Sequence, residues 1–308
     1  MKDVYSNQIR IGNKEEIIPD YTEEFPYRAS RMHFENYGGD FVPWHWHKAL
    51  EMFYIESGAM ECDTPSGSVV FEQGTAGLVN SNIMHSTRSA SGSHDTIQYV
   101  HLFGPDLIGG KPGSRIYSMY LEPVVSNACV ELIKLIPDGG AQSRTIGRIR
   151  ESFQMDLADP YSELEIRNRL SEIWLDLCRL KVFSAPGVEP NSSMESNLKL
   201  MMLFINENLE KKMTTEMIAE AGFTSERGCF RAFREYLHTT PGAYINQCRI
   251  VQACRMLTEE NYSIAQIATK CGFKESSHFG RVFRDSTGLT PKQYRRKKAE
   301  YTVKTGEH

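Results

Sequence analysis

Four side chains near the start of the chain have the types and spacing of a metal site or a polar-ligand site. They are His45, His47, Glu51 and, further along, His85. Successive side chains of a β-strand point to opposite faces, so His45 and His47 would share one face. Three imidazoles and a carboxylate suit Zn, Ni, Mn or Fe(II), and the sequence does not choose among these ions. The same groups could instead bond a polar organic molecule.

Short segments rich in Val, Ile, Phe and Tyr surround these residues and must position them. We predict strands at 51–55, 68–71, 76–79 and 96–103, separated by glycines and by the turn sequence Asp-Thr-Pro-Ser-Gly at 63–67. Many short strands with turn signals between them favour a β-sandwich or a β-barrel. The histidines would then point into the barrel.

The spacing around the histidines resembles the cupin superfamily. Gly39, the His-Trp-His run, Glu51 and Gly58 match every anchor of that superfamily's first motif. The second motif, around His85, is degraded, because asparagines replace its usual proline and glycine. The resemblance implies a barrel in which metal-binding members use two histidines and a glutamate from the first motif and one histidine from the second.

We expect the barrel to sense a small polar effector. A sugar is the natural candidate, because hydroxyl-rich ligands favour paired polar groups beside an aromatic face. The residues expected to contact it are His45, His47, Glu51, His85, Trp46 and Arg31. A divalent metal on the two histidines, the glutamate and His85 is the alternative, and no other cofactor is expected. Trp44 and Trp46 lie opposite His45 and could instead pack against an outer layer.

The last third of the chain contains one pattern written twice. Gly-Phe at 222–223, Arg-x-Phe-Arg at 231–234 and Thr-Pro at 240–241 each recur 50 residues later. Each copy has the features of two helices joined by a tight turn. In the second copy, Ser263 and Gln266 have the spacing of a capping box, and Gly272 follows the apolar stripe, where a helix ends with positive φ.

The second helix of each copy has an outward face suited to the major groove of DNA. Helical spacing buries Phe279, Val282 and Phe283 in the second copy. Arginine on such a face can form two hydrogen bonds with guanine, although base contact and phosphate contact both stay open. The outward residues expected to contact DNA are Arg227, Phe230 and Arg231 in the first copy and Ser276, Ser277, His278 and Arg281 in the second.

The duplicated pattern resembles the C-terminal domain of the AraC family of bacterial transcription regulators. The family's Ile-Ala, Gly-Phe, Phe-x-Arg-x-Phe-Arg, Gly-x-Thr-Pro and Tyr-Arg signature is complete in the second copy. The resemblance implies two helix-turn-helix motifs joined by one long helix, here about 241–258, so that one chain reaches two successive major grooves. The first copy departs from the pattern, since it is one residue short before Gly222 and has Gly228 inside its recognition helix.

Between these two regions the apolar period changes to that of helices. One stripe runs from 121 to 136, a second from 146 to 157, and a third from 162 to 180 with Leu164 and Trp174 expected to face inward. Prolines and small polar residues then predict a flexible linker. Because AraC-like proteins often pair through this region, the resemblance implies a homodimer.

The charge of the chain divides unevenly. Residues 195 to 308 carry 18 Lys and Arg against 13 Asp and Glu, a net charge of +5, whereas residues 1 to 194 carry −9. Only the C-terminal part should attract polyanions. The sequence has no apolar run of membrane-spanning length and no signal-peptide core at its start. Seven cysteines without a Cys-x-x-Cys pair suit a reducing cytosol, so we expect a cytoplasmic protein with no membrane partner.

The sequence therefore predicts an α+β multidomain chain. We expect a cupin-like (jelly-roll-like) β-barrel sensing domain at 1–110, a helical dimerisation region at 111–185, a flexible linker at 186–194 and an all-α double helix-turn-helix domain at 195–300. Its function would be sequence-specific, effector-controlled transcription regulation, without enzymatic activity. The competing hypothesis is a metal-dependent cupin enzyme or a metal sensor fused to a DNA-binding module. A DNA-binding tail would give a metabolic enzyme no obvious benefit.

Overall fold

The computed structural model describes residues 2–5, 10–11, 16–17, 21–34, 41–93, 95–127, 129–156, 158–183, 192–259 and 262–296. Two β-sheets form the N-terminal part, a helical layer follows, and the C-terminal part is helical. This is the predicted α+β arrangement: a barrel-like, jelly-roll-like β domain that is not closed, a helical extension and an all-α double helix-turn-helix.

The β domain contains two large sheets packed face to face and a separate pair of short strands. Its strands are β1 Lys2–Tyr5, β2 Arg10–Ile11, β3 Glu16–Ile17, β4 Tyr27–His33, β5 Phe41–His45, β6 Leu50–Ser57, β7 Ala59–Thr64, β8 Gly67–Glu72, β9 Ala76–Val79, β10 His85–Ser89, β11 Ile97–Phe103 and β12 Leu132–Leu135. One sheet has the order β1-β4-β11-β6-β9-β12 and the other β5-β10-β7-β8, while β2 pairs with β3. The four predicted strands are confirmed as β6, β8, β9 and β11.

Apolar side chains from both sheets fill the space between them. Phe53 and Ile55 come from the six-stranded sheet, and Val42, Met60 and Phe71 come from the four-stranded sheet. All five are buried. Along β6 the odd-numbered residues face this interior, and Glu51 shares their side of the strand.

Helices cover the outer face of the six-stranded sheet. They are α1 Pro105–Gly109, a π-helical turn Tyr117–Leu121, α2 Glu122–Val125, α3 Ala141–Ser152 and α4 Ser162–Arg179. Met52 and Tyr54 of β6 pack in one cluster with Ile149, Leu170 and Trp174 of the helices. The helical region is therefore part of the same folded unit as the barrel.

The predicted helix over 121–136 is wrong in its second half. The side-chain amide of Asn80 donates to the carbonyl of Val124 at 2.8 Å, at the end of α2. The chain then forms β12, which pairs antiparallel with β9. Because Leu132 to Leu135 alternate between half-buried and buried, their pattern is that of a strand beside a tertiary partner, which helical periodicity cannot reveal.

Two further expectations for this region need correction. The helix predicted over 146–157 ends at Ser152, and residue 157 lies outside the described residues. Leu164 points outward and is 57% exposed, because Ile166, Leu170 and Ile173 occupy the buried stripe of α4.

The predicted linker falls mostly outside the described residues, and a helix already begins at Ser192.

The C-terminal part contains two helix-turn-helix motifs, each resting on a support helix. Its helices are α5 Ser192–Glu207, α6 Thr215–Ala221, α7 Glu226–Tyr236, α8 Pro241–Glu259, α9 Ile264–Lys270 and α10 Ser276–Thr287. The first motif, α6 and α7, packs on α5, and the second, α9 and α10, packs on α8. The predicted long helix is confirmed as α8.

A buried histidine joins the barrel to the helical layer. The hydroxyl of Ser152 donates to Ile149 O at 2.6 Å, so it accepts from Nε2–H of His101 at 2.8 Å. Nδ1 of His101 then accepts from the Tyr27 hydroxyl at 2.9 Å. The ring also stacks on Phe153. Burial lowers the pKa of His101 to about 3, which keeps the imidazole neutral in the folded protein.

Because His101 is buried in its neutral form, we expect the folded protein to lose stability in acid. Between pH 6.5 and 3 the unfolded chain binds a proton at His101 that the folded chain does not. The contribution of His101 to the free energy of unfolding is therefore fully present above pH 6.5 and is lost as the pH falls toward 3. We expect His101 to contribute about 2 kcal/mol to the loss of stability between pH 7.5 and pH 5. Urea denaturation of the parent and of His101→Gln at both pH values measures it. Equal losses in the two proteins would contradict the assignment.

Candidate cation site and DNA-binding surface

The four candidate ligands meet in the gap between the two sheets. His45 ends β5 and lies directly opposite His85, the first residue of β10, in an antiparallel register. Glu51 comes from β6 in the facing sheet, and His47 lies in the connection between β5 and β6. One ligand atom from each residue lies within 4.8 Å of the others, and all four residues are buried. The predicted site residues are thus brought together.

Backbone carbonyls fix the tautomer of each imidazole. Nδ1 of His45 lies 2.8 Å from Pro43 O, that of His47 lies 2.9 Å from Ala49 O, and that of His85 lies 3.0 Å from Ile83 O. A carbonyl oxygen can only accept, so Nδ1 carries the proton in each ring. In the neutral ring the lone pair is therefore on Nε2. This is the arrangement by which metal-binding histidines are usually oriented.

Glu51 supplies the negative charge of the site. Its Oε2 lies 3.2 Å from Nε2 of His47 and 3.2 Å from Nε2 of His85. Burial opposes ionisation of Glu51, but hydrogen bonds and positive charge from these two histidines, in their doubly protonated form, outweigh it and hold the pKa of the carboxyl well below its usual range. Burial, followed by the nearby His85 and His47, lowers the pKa of His45 well below its usual range. At neutral pH the site therefore combines a carboxylate with a neutral imidazole.

This donor set fits a divalent transition metal. Ligand atoms bound to one ion at 2.0–2.2 Å lie about 3 to 3.5 Å apart, and the carboxylate oxygen stands at such a distance from two ring nitrogens. The side-chain amide of Gln98, in β11, donates to the other carboxylate oxygen at 3.4 Å. Such outer contacts orient a ligating carboxylate.

The other two residues expected to bind an effector lie elsewhere. Trp46 packs among residues of the C-terminal domain, on the side of the strand away from the histidines. Arg31 lies opposite Tyr99 in the β4–β11 pairing, on the face that packs against the helical layer. The structure therefore does not bring Trp46 or Arg31 to the histidine cluster, as Trp46's position opposite His45 already indicated.

Side-chain caps and turn residues shape both helix-turn-helix motifs. The capping box between Ser263 and Gln266 is confirmed, and Gly272 has the predicted positive φ of 76°. In the first copy, which is one residue short, Gly222 has a φ of −93° and the positive φ of 50° falls on Phe223. Phe223 is 83% exposed, whereas its counterpart Phe273 is buried.

The seven residues predicted to contact DNA all lie on the outer faces of α7 and α10. Each is exposed: Arg227, Phe230, Arg231, Ser276, Ser277, His278 and Arg281. Arg234 and Arg284, one turn further along the two helices, are exposed as well and were missed. Both arginines end the Arg-x-Phe-Arg pattern that recurs 50 residues later, and this repetition could have identified them. Contact of these side chains with DNA remains a prediction.

An arginine on the long helix α8 connects the two motifs. Arg249 donates to Leu209 O at 3.0 Å and to Lys211 O at 2.9 Å, in the loop before α6. Its guanidinium also lies 5.6 Å from the ring centre of Phe273, in the turn of the second motif. Arg249 therefore helps to set the placement of one motif relative to the other, a role that a lone charge between Cys248 and Ile250 could have suggested.

Arg281→Ala tests the reading of bases by the second motif. We expect a loss of about 1 to 3 kcal/mol in binding to the preferred operator, with relaxed preference at one base position, if the guanidinium contacts a base. Binding constants for an operator and its single-base variants measure this. Arg179→Ala, which removes an exposed arginine from α4, is the matched control. An equal loss on every sequence would make Arg281 a phosphate contact.

The chain is similar to several known proteins. A family model described as a helix-turn-helix domain matches residues 218–297. The HTH-type transcriptional regulator YdeC of Bacillus subtilis is 21% identical over 285 residues, 92% of this chain and 96% of that protein. A Chromobacterium violaceum regulator with an AraC-type DNA-binding domain is 30% identical, with 36% and 98% coverage and a TM-score of 0.34. The apo structure of a single-residue variant of ToxT from Vibrio cholerae is 16% identical, with 87% and 96% coverage and a TM-score of 0.49.

Two helix-turn-helix motifs joined by a long helix, behind a β domain, define a DNA-binding transcription regulator. The C-terminal part of the chain is a DNA-binding domain of the AraC type, and the chain is a transcription regulator rather than an enzyme. Among the helices that the structure describes, none is long and apolar enough to cross a bilayer.

Proposed function

We propose that this regulator responds to a divalent transition-metal cation held in the barrel by His45, His47, Glu51 and His85. The proposal rests on four buried ligand atoms within 4.8 Å of one another. Backbone carbonyls hold Nδ1 of all three rings, so the neutral rings of His47 and His85 turn an Nε2 acceptor toward the Glu51 carboxylate at 3.2 Å. A cation would satisfy these facing acceptors and would supply the charge that the buried carboxylate lacks.

A sugar-sized effector is supported less well by the same geometry. The four polar groups are at most 7% exposed, and buried apolar side chains fill the neighbouring space between the sheets. The aromatic ring and the arginine expected beside them lie elsewhere: Trp46 packs against the C-terminal domain, and Arg31 lies opposite Tyr99. A small ion fits such a site better than a hydroxyl-rich ligand does.

Elemental analysis of freshly purified, untagged protein tests the proposal, together with Zn²⁺ titration of protein treated with a chelator. We expect close to one equivalent of metal per chain, or one Zn²⁺ bound on titration. Protein that neither carries nor binds metal would contradict the proposal. A co-purified organic molecule, sought in the same sample by mass spectrometry, would then support an organic effector.

We also propose that the regulator is a homodimer that pairs through α4. Large apolar side chains are exposed on this helix: Tyr161, just before it, at 75%, Leu164 at 57% and Leu175 at 47%. Together with Asn168 and Ser171 they recur at alternating intervals of three and four residues, which is the spacing of a two-helix seam. Ile116, Met119 and Tyr120, beside α4, are exposed as well.

The seam is complementary to itself when two copies run antiparallel. Leu164 then meets Leu175 of the partner subunit, and Asn168 meets Ser171 of the partner subunit. Apolar side chains thus face apolar ones, and an amide faces a hydroxyl. A twofold axis requires such self-complementarity, and a polar pair within an apolar seam fixes its register.

Leu164→Glu should convert the dimer to a monomer, because it places two carboxylates in the apolar seam. Sedimentation velocity measures the change. Met217→Glu, at an exposed apolar position of α6, is the control and should leave the mass unchanged. A parent protein that is already monomeric at the same concentration would contradict the homodimer.

A further inference from the structure

The residues beside the candidate ligands belong to the core of the first helix-turn-helix. Trp44 precedes His45, Trp46 separates His45 from His47, and Met84 precedes His85. All three are buried, and they pack in one apolar cluster with side chains of α5, α6, α7 and α8. The ligands therefore point into the barrel, while their chain neighbours complete the packing of the DNA-binding domain.

Two polar contacts connect the backbone beside the candidate ligands to the support helices α5 and α8. Lys199 of α5 donates to Asn82 O at 2.9 Å and lies 5.9 Å from the ring centre of Trp46. The amide of Asn82 in turn donates to His47 O at 2.8 Å. From α8, the Tyr244 hydroxyl donates to Trp44 O at 3.4 Å. The path from a ligand to α5 therefore contains two hydrogen bonds.

We propose that β5 and the loop before β10 couple the candidate cation site to the first helix-turn-helix, through Trp44, Trp46 and Met84 and through the contacts of Lys199 and Tyr244. The inference rests on the proposed cation site. It assigns the regulatory link to the interface between the barrel and α5, rather than to the linker.

The cation site has a physical reason to exist in two arrangements. With a cation, Glu51 Oε2 and the Nε2 atoms of His47 and His85 can stand 3.2 Å apart. Without it, each neutral ring turns an Nε2 acceptor toward an acceptor oxygen of the carboxylate, and this repulsion favours their separation. A close-packed interior passes such a shift to its neighbours rather than absorbing it. Here the neighbours are the tryptophans in the core of the first motif.

Four full-length proteins test the coupling: the parent, Lys199→Met, Trp46→Phe and Lys134→Met. Lys199→Met keeps the length of the side chain and removes its charge, and Lys134→Met is the control because Lys134 pairs with Glu72 on the barrel. The DNA is a duplex selected from a random library by the parent. Its dissociation constant is measured by fluorescence anisotropy with Zn²⁺ and with chelator. Zn²⁺ affinity is measured by chelator competition with and without the DNA.

For the parent and the control, we expect Zn²⁺ to change DNA affinity by at least about 5-fold, and DNA to change Zn²⁺ affinity by the same factor. Lys199→Met and Trp46→Phe should still bind Zn²⁺ while both factors fall toward one. Equal factors in all four proteins, or Zn²⁺ binding by the parent without any effect on DNA affinity, would overturn the coupling and leave the cation site standing. A parent that binds no Zn²⁺ would overturn the cation site and the coupling with it.

Discussion

Phe283→Ala should lower the free energy of unfolding of the second helix-turn-helix by about 3 to 5 kcal/mol, the usual loss when a buried phenylalanine is truncated. Phe283 is fully buried, and its ring lies 5.5 Å from that of Phe279 and 5.4 Å from that of Tyr294. Truncation would leave a cavity where α8, α9 and α10 meet. Since a domain is stable by only about 5 to 15 kcal/mol, operator binding should weaken as well.

Urea denaturation followed by circular dichroism measures this loss. Phe230→Ala is the matched control, because it removes the same side chain from the outer face of the other recognition helix, where Phe230 is 48% exposed. Its cost should stay within about 0.5 kcal/mol, as is usual for surface positions. Superimposable unfolding curves for Phe283→Ala and the parent would show that the inward face of α10 is assigned wrongly.

Glu51→Gln should weaken Zn²⁺ binding by more than about 100-fold, since replacing an outer-sphere partner of a ligand already costs 10- to 100-fold. The change keeps the shape of the side chain and removes the negative charge of the site. Isothermal titration with Zn²⁺ measures the affinity, and the circular dichroism spectrum shows whether the barrel is intact.

Glu72→Gln is the control for this substitution, because Glu72 is an exposed carboxylate of the same barrel and pairs with Lys134. It should bind Zn²⁺ as the parent does. If Glu51→Gln retained the parent's affinity, Glu51 would be a structural hydrogen-bond partner of the histidines and not a ligand.

Local patterns predicted much of this fold. Alternation and turn residues located β6, β8, β9 and β11, and caps with a helical period located both helix-turn-helix motifs, because these signals lie within a few residues of the element they define. The strand β12 was missed because its conformation depends on pairing with β9, about 55 residues earlier in the chain.

The candidate site shows the same division. The spacing of His45, His47, Glu51 and His85 identified the residues, and the structure brings them together. The surroundings could not be read in the same way. The sequence favours Trp46 as an aromatic contact for a ligand, but the C-terminal domain covers its side chain. A sequence does not show which surface covers the outer face of a strand. In the first helix-turn-helix the positive φ falls on Phe223 and not on Gly222, because this copy is one residue shorter than the second before the turn.

The two helix-turn-helix motifs also differ in how complete their cores are. The core of the second is built from residues between Ile250 and Tyr294, whereas the core of the first includes Trp44, Trp46 and Met84 of the barrel. A fragment cut at the linker would uncover those contacts, and each tryptophan buries about 150 to 250 Å². In a calorimeter, the barrel and the first motif should therefore melt as one cooperative unit and the second motif as another. The thermodynamic boundary would then fall inside the DNA-binding domain, within α8, and not at the linker.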